Sequence, residues 1–277
     1  MRGKHVHVFK THCTRLPEEP EFVLLEMQSL LAEGYKSRSQ MARVVTENWA
    51  AQNIYCVSCE FNSILRTAAN TRAIDFYCGA CKANYQLKSG RHWNDQRIPD
   101  AGYQAMISAI KSDAVPNLLV LQYTQQWTVR NLMLVPSFFF TETAIEKRRP
   151  LSLNARRAGW VGCNILLKTI PPEGKIRIVA DGVTADATVI RHQYQKARPL
   201  ARLKASLRGW ALNVLTVVHK IGRIDFCLRD VYAFEEELAL LYPDNRNVRE
   251  KIRQQLQVLR DAGLIRFMGR GQYSLVS

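Results

Sequence analysis

Two paired cysteines constrain this chain more than any other feature. Cys56-Val57-Ser58-Cys59 and Cys78-Gly79-Ala80-Cys81 are C-x-x-C pairs with eighteen residues between them, a spacing that suits tetrahedral zinc held by four thiolates. One such pair alone would serve as well for redox chemistry. Two pairs, without a strand-helix redox context around them, read as a structural zinc site that pins a hairpin at its turn.

The runs on either side of the second knuckle read as the strands of that hairpin. Residues 72–77 carry Ile74, Phe76 and Tyr77, and along the second run, residues 84–89, Tyr85 and Leu87 alternate with Gln86 and Lys88. Gln86 and Lys88 therefore share a face, and pairing across the knuckle brings Asp75 toward them. A carboxylate, an amide oxygen and an ammonium so placed match the Asp…(Glu/Gln)-x-Lys pattern of metal-dependent nucleases. In that pattern Asp75 and Gln86 bind magnesium and Lys88 orients or activates the attacking water. The bland reading of the same residues is solvated charge at a strand edge.

Charge points to the partner. Lys and Arg outnumber Asp and Glu by 39 to 24, a net charge of +15, divided as 23 against 16 over residues 1–190 and 16 against 8 over residues 191–277. A basic excess in both parts favours a polyanion, nucleic acid foremost. No apolar run is long enough to span a bilayer, and no helix pattern shows a wholly basic polar face for a membrane surface. Seven cysteines are an odd number, four of them are in zinc spacing and no secretory signal opens the sequence, so a reducing, cytoplasmic setting near the nucleoid is expected. Cys163 and Cys227 read as small core residues.

At 277 residues and 47% hydrophobic composition, the chain suits a core domain plus a smaller one. Residues 1–22, with His5, His7, His12 and Cys13 and then a Pro-rich link, form an N-terminal extension without matched metal-ligand spacing. A helix over 21–32 leads through Gly34 to another over 37–49, where Met41, Val44, Val45 and Trp49 make a core stripe. Glu47 lies off that stripe and is either a solvated carboxylate or a third acid directed at the catalytic strands. A loop over 90–95, a helix over 101–112, apolar strands over 117–123 and 129–135 and a closing strand over 175–179 complete a mixed sheet flanked by helices. The segment 192–208, basic and containing Pro199, reads as a linker.

Two further stretches suit contact with DNA. In Ala155-Arg156-Arg157-Ala158-Gly159-Trp160 the arginines fit phosphate or guanine and the indole fits an apolar surface such as a methyl group; a glycine-bracketed turn with a buried Trp160 is the equal alternative. Beyond residue 208 come helices over 208–218, 228–241 and 247–262 and then a two-stranded wing over 264–276, the pattern of a winged helix. Arg246, Asn247, Arg249, Lys251, Arg253 and Gln254 on the third helix, with Arg266 and Arg270 in the wing, favour DNA over a protein partner.

These segments together resemble one family. Tyr35-Lys36-Ser37, Thr46-Glu47, Tyr55-Cys56, Ala73-Ile74-Asp75-Phe76-Tyr77-Cys78, Leu87-Lys88-Ser89, Ala155 to Trp160, Arg208-Gly209-Trp210 and Glu250-Lys251-Ile252-Arg253-Gln254-Gln255-Leu256-Gln257 are similar to the DpnI-type methyl-directed restriction endonucleases, collinearly from about Gly34 onward. The resemblance implies an α/β nuclease core of the PD-(D/E)xK type with a zinc knuckle over residues 23–203, followed by a winged-helix domain over 204–277. It implies recognition of GATC carrying 6-methyladenine in double-stranded DNA, cleavage of both strands, structural zinc and catalytic magnesium; manganese, which binds N/O ligands more tightly, is expected to substitute for magnesium. No obligate protein partner is evident. By position the metal-binding acid falls on Asp75, the lysine on Lys88 and the methyl-sensing tryptophan on Trp160, beside Arg156 and Arg157. Gln86 stands where the family has Glu, so the metal site lacks one negative charge. A catalytically weakened or inactive zinc-containing regulator that reads methylated DNA is the contrasting expectation.

Overall fold

The computed structural model describes residues 23–276, except 69, 70, 72 and 93. The N-terminal extension and its histidines lie outside the described residues, as do Arg72 and Trp93. Helix α1 (Arg38–Asn53) precedes strands β1 (Leu65–Arg66), β2 (Phe76–Tyr77), β3 (Asn84–Gly90) and β4 (Ile98–Gly102), which runs into α2 (Tyr103–Lys111). Strands β5 (Asn117–Tyr123), β6 (Val129–Val135), β7 (Ile145–Lys147), β8 (Gly162–Ile165), β9 (Ile176–Ala180) and β10 (Val183–Thr184) follow, then α3 (Ala187–Ala197) and α4 (Ala205–Lys220). The last elements are β11 (Asp225–Cys227), α5 (Leu228–Tyr232), α6 (Glu235–Leu241), α7 (Val248–Asp261), β12 (Ile265–Gly269) and β13 (Gln272–Leu275).

The expected mixed sheet is present, in the order β1-β2-β3-β5-β6-β9-β10, with β3 and β5 parallel and its other pairs antiparallel. Strands β5 and β6 are buried almost throughout, as their unbroken apolar runs require for a sheet covered on both faces. Helix α1 lies against β3: Thr46 and Ser89 hydroxyls meet at 3.0 Å, and the indole of Trp49 donates to the Leu24 carbonyl at 2.6 Å.

Four local expectations need correction. Residues 21–32 do not form a helix beyond a short 3₁₀ turn at Ser29–Ala32, because this segment pairs with the turn before β6, through Glu26 and Thr128 and through Met27 N–H to the Trp127 carbonyl. The first hairpin strand shortens to Phe76–Tyr77, since Ala73 takes a left-handed φ of 57° that no strand can carry. The supposed linker is mostly ordered: Ile190, Tyr194 and Ala197 make a buried stripe on α3, and a 3₁₀ turn at Arg198–Arg202 accommodates Pro199 in its first turn. A second sheet, β4-β8-β7, was not expected at all.

In the C-terminal part the winged-helix pattern holds, with two changes. The helix expected over 228–241 is split into α5 and α6, and Glu235, Glu236 and Glu237 crowd the first turn of α6, a composition favoured at a helix start by the helix dipole. Strand β11 adds a third member to the wing, in the order β11-β13-β12. Helix α4 is buried on most of its surface and joins this part to the larger domain. Thr216 Oγ1 donates to the Thr169 carbonyl at 3.1 Å, Asn213 contacts Thr143 and Tyr242, and His219 meets the Glu173 carboxylate at 2.9 Å.

Arg208, only 3% exposed, sits at this joint with its guanidinium on Asp113 and on the Leu203 carbonyl, while its Nε has no partner. Removing the acid leaves a buried cation underpaired. Asp113→Ala should cost about 1–3 kcal/mol, seen as a lower urea midpoint at unchanged slope.

Candidate active site and nucleic-acid interface

The four cysteines are drawn together from two turns. Cys56 and Cys59 lie just after α1, and Cys78 and Cys81 lie in the turn between β2 and β3. All four Sγ atoms fall within 4.8 Å of one another. The Cys56–Cys81 and Cys59–Cys78 separations are 3.5 and 3.6 Å, far beyond a disulfide bond of about 2.05 Å and near the ~3.8 Å edge of a thiolate tetrahedron with Zn–S bonds of about 2.3 Å. The donor set therefore fits zinc. The knuckle is closed by backbone bonds from Cys78 N–H to the Ala83 carbonyl and from Lys82 N–H to the Cys78 carbonyl, with Lys82 at a positive φ of 62°.

Tyr85, fully buried on β3, ties this cluster to the adjacent strand. Its hydroxyl lies 3.1 Å from Cys56 Sγ and accepts from Val57 N–H at 3.2 Å, the kind of outer contact that orients a metal ligand. Burial pushes the Cys56 thiol upward, while the hydrogen bond from Tyr85 favours the thiolate. From α3, Arg191 adds a bond to the Cys56 carbonyl at 3.1 Å and stacks on Tyr55.

The next residue along β3 is Gln86. Strand pairing sets Phe76 opposite Tyr85 and Tyr77 opposite Asn84, and just before the ladder Asp75 N–H donates to the Tyr85 carbonyl at 2.9 Å. The Asp75 carboxylate accepts the Leu87 N–H at 2.8 Å. On α1, Glu47 is held by Arg43 Nε at 2.6 Å and lines, with Asp75, Arg66 and Thr67, a cavity of about 180 Å³. Glu47 thus shares a cavity with Asp75 while its carboxylate is held by Arg43. Gln86 and Lys88 meet a residue that the sequence reading missed: Asp100 Oδ1 on β4 lies 2.5 Å from Lys88 Nζ and 3.5 Å from Gln86 Nε2. Asp100 belongs to no local motif, and only the second sheet carries it here.

β4 also floors the tryptophan loop. Gly102 on β4 pairs with Gly162 on β8, and the Trp160 indole lies across both. A Cβ at Gly162 would come within 2.8 Å of the ring, and one at Gly102 within 3.6 Å of its Nε1. Arg157 stacks on the indole at 4.9 Å, and Arg156 is exposed. Trp160 is half-buried, so it is neither a core residue nor a free one. In the loop after β3, Arg91, His92 and Asp95 are exposed, and the Arg91 carbonyl accepts from Gln122.

On α7, Val248, Ile252, Leu256 and Leu259 are buried as the stripe requires, and Gln255 is buried with them. Asn247 and Arg246 border an open groove with Trp210 and Tyr242, whose rings stack at 3.8 Å. The remaining candidates do not all converge on it. Arg249 is turned to Glu235 at 2.6 Å, Arg253 to Glu250 at 3.3 Å, and Lys251 to Gln254 at 2.8 Å. Arg266 and Arg270 are exposed on the wing.

Fold and site together define a DNA-directed protein: a mixed α/β domain with a four-cysteine cluster able to hold zinc, followed by a helix-turn-helix domain. The chain belongs to the DpnI family, described as the Dam-replacing family, whose profile matches residues 23–203; that of the Dam-replacing HTH domain matches residues 206–275. Membership implies a methylation-dependent restriction enzyme, and the HTH domain implies DNA binding. No described helix is long and apolar enough to cross a membrane.

Zinc release tests the cluster. Purified protein should yield one zinc per chain, and Cys78→Ser should lose it and unfold the hairpin, because site energies of about 10–16 kcal/mol match a whole domain's ~5–15 kcal/mol. Tyr85→Phe should keep the fold but surrender zinc to a chelator faster, by about 10-fold or more.

Proposed function

We propose that this protein is a type II, methyl-directed restriction endonuclease that hydrolyses phosphodiesters of double-stranded DNA at GATC carrying 6-methyladenine, with magnesium as cofactor and a PD-(D/E)xK-type site at Asp75, Gln86 and Lys88. The observation that carries this reading is the Asp75 carboxylate bonded to the β3 backbone at Leu87, between Gln86 and Lys88, in a chain of the DpnI family. Residues 23–203 would hold the chemistry and 204–277 a second DNA contact.

The donor set suits a hard divalent cation. Asp75 offers a carboxylate, and the Gln86 amide turns its NH₂ toward the Asp100 carboxylate, which can only accept. That leaves the Gln86 carbonyl oxygen for the cation. When bound, the ion supplies positive charge to the scissile phosphate as negative charge develops there. Lys88 places its ammonium beside the attacking water and the same phosphate, and Glu47 with Arg43 closes the far side of the Asp75 cavity. Trp160, held flat by Gly102 and Gly162 and covered by Arg157, presents an apolar edge to an adenine methyl group. Arg156, Arg246, Asn247, Gln254 and Arg270 reach phosphates and base edges, and Arg249, Lys251 and Arg253 contribute once DNA competes for their present partners.

The decisive experiment incubates the full chain with magnesium and one plasmid prepared with and without adenine methylation at GATC. Cutting of the methylated form alone is expected. Binding of methylated DNA without cutting of either form would favour a regulator. Asp75→Ala should abolish cleavage and spare DNA binding. In Trp160→Ala the preference for methylated over unmethylated DNA should fall about tenfold or more, as expected for about 1–3 kcal/mol per base contact; an unchanged preference would remove Trp160 from recognition.

A further inference from the structure

The Asp100 side chain is 2% exposed, although its strand reaches solvent at the alternate positions. Burying a carboxylate is costly unless it is paired. An acid needed only to neutralise Lys88, itself 29% exposed, could do so from the surface, where pairing two charges costs little desolvation. Instead the acid comes from the second sheet and puts one oxygen against both Lys88 Nζ and Gln86 Nε2.

A glutamate at residue 86 would carry its own charge about one contact distance from this oxygen, where Gln86 Nε2 now lies. Two carboxylates at the 3.5 Å separation now found between Gln86 and Asp100 would repel and could not both ionise easily. The amide removes that repulsion and donates a hydrogen bond. Gln86 and Asp100 together then present one carbonyl oxygen and one negative charge, where the pattern D…E-x-K has both on one side chain.

We propose that Asp100 supplies the carboxylate charge that Gln86 lacks, so that the divalent-cation site comprises Asp75, the Gln86 amide oxygen and Asp100. The inference rests on the nuclease reading of the Asp75, Gln86 and Lys88 site. A carboxylate has two oxygens and several lone pairs, so Asp100 can hold the Lys88 ammonium and a cation together. The missing charge is relocated across two sheets, and the site keeps two carboxylates for the cation.

Manganese binding to the full, zinc-loaded chain, followed by calorimetry and by the spin-resonance signal of the free ion, tests this without any cleavage. Asp100→Asn should bind manganese at least about tenfold more weakly, about 1.4 kcal/mol. Gln86→Glu added to Asp100→Asn should restore affinity to within about threefold of native, because the charge returns to a neighbouring oxygen of the same site. Native affinity in Asp100→Asn, or no recovery in the double variant, overturns the proposal. Should Asp100→Asn fail to fold, the native chain still decides: iron(II) with ascorbate and peroxide should cut the backbone near residues 75, 86–88 and 98–102, and cutting at the first two without the third overturns it. Asp75→Ala separates the two readings. Affinity lost in Asp75→Ala but kept in Asp100→Asn sinks this inference alone, whereas native affinity in Asp75→Ala sinks the nuclease site and this inference with it.

Discussion

Everything at the site depends on four sulfurs gathered from two turns. In a strand, a slip of one residue would turn Gln86 and Lys88 to the other face. Here β3 leaves directly from the Cys78–Cys81 knuckle, and the Tyr85 hydroxyl is fixed between Cys56 Sγ and Val57 N–H. The residue after Tyr85 is Gln86, so the cluster's geometry passes to the site through one peptide unit. Arg191 on α3 braces the other turn, through the Cys56 carbonyl and Asn62 Oδ1.

Charge is concentrated in the space that this strand opens. Glu47 on α1 and Asp75 just before β2 line one cavity with Arg43 and Arg66, while Asp100 from the second sheet meets Gln86 and Lys88. The second sheet also supplies the floor of the Trp160 loop, since Asp100 and Gly102 are two residues apart on β4. A shift of the indole is therefore felt two residues from the Lys88 ion pair.

Helix α4 decides how the C-terminal part meets the rest. Its buried faces contact both α7 and the larger domain, through Thr216, Asn213, His219 and the Arg208–Asp113 pair. Lys196 on α3 adds a bond to the Val276 carbonyl at 2.9 Å. These contacts make α4 a structural member of both parts, so the HTH surface and the Trp160 loop are carried on a common frame and not on a tether.

The sequence alone determined the cysteine cluster, the hairpin that it closes, the central strands and the final helix with its wing. Each of these is written in local spacing: two C-x-x-C pairs, alternation at Tyr85 to Lys88, unbroken apolar runs at residues 117–123 and 129–135, and a stripe at Val248, Ile252, Leu256 and Leu259. Only the tertiary structure decided the rest. Residues 23–28 lie along the turn before β6 because partners there satisfy their backbone, and propensity could not foresee those partners. The basic, proline-containing run before α4 is helical because Ile190, Tyr194 and Ala197 find a core to fill. Asp100 reaches Gln86 and Lys88 only because β4 pairs with β8, sixty residues further along the chain. A contact between residues far apart in sequence leaves no periodicity to read, and that is where the choice of the site's last carboxylate was made.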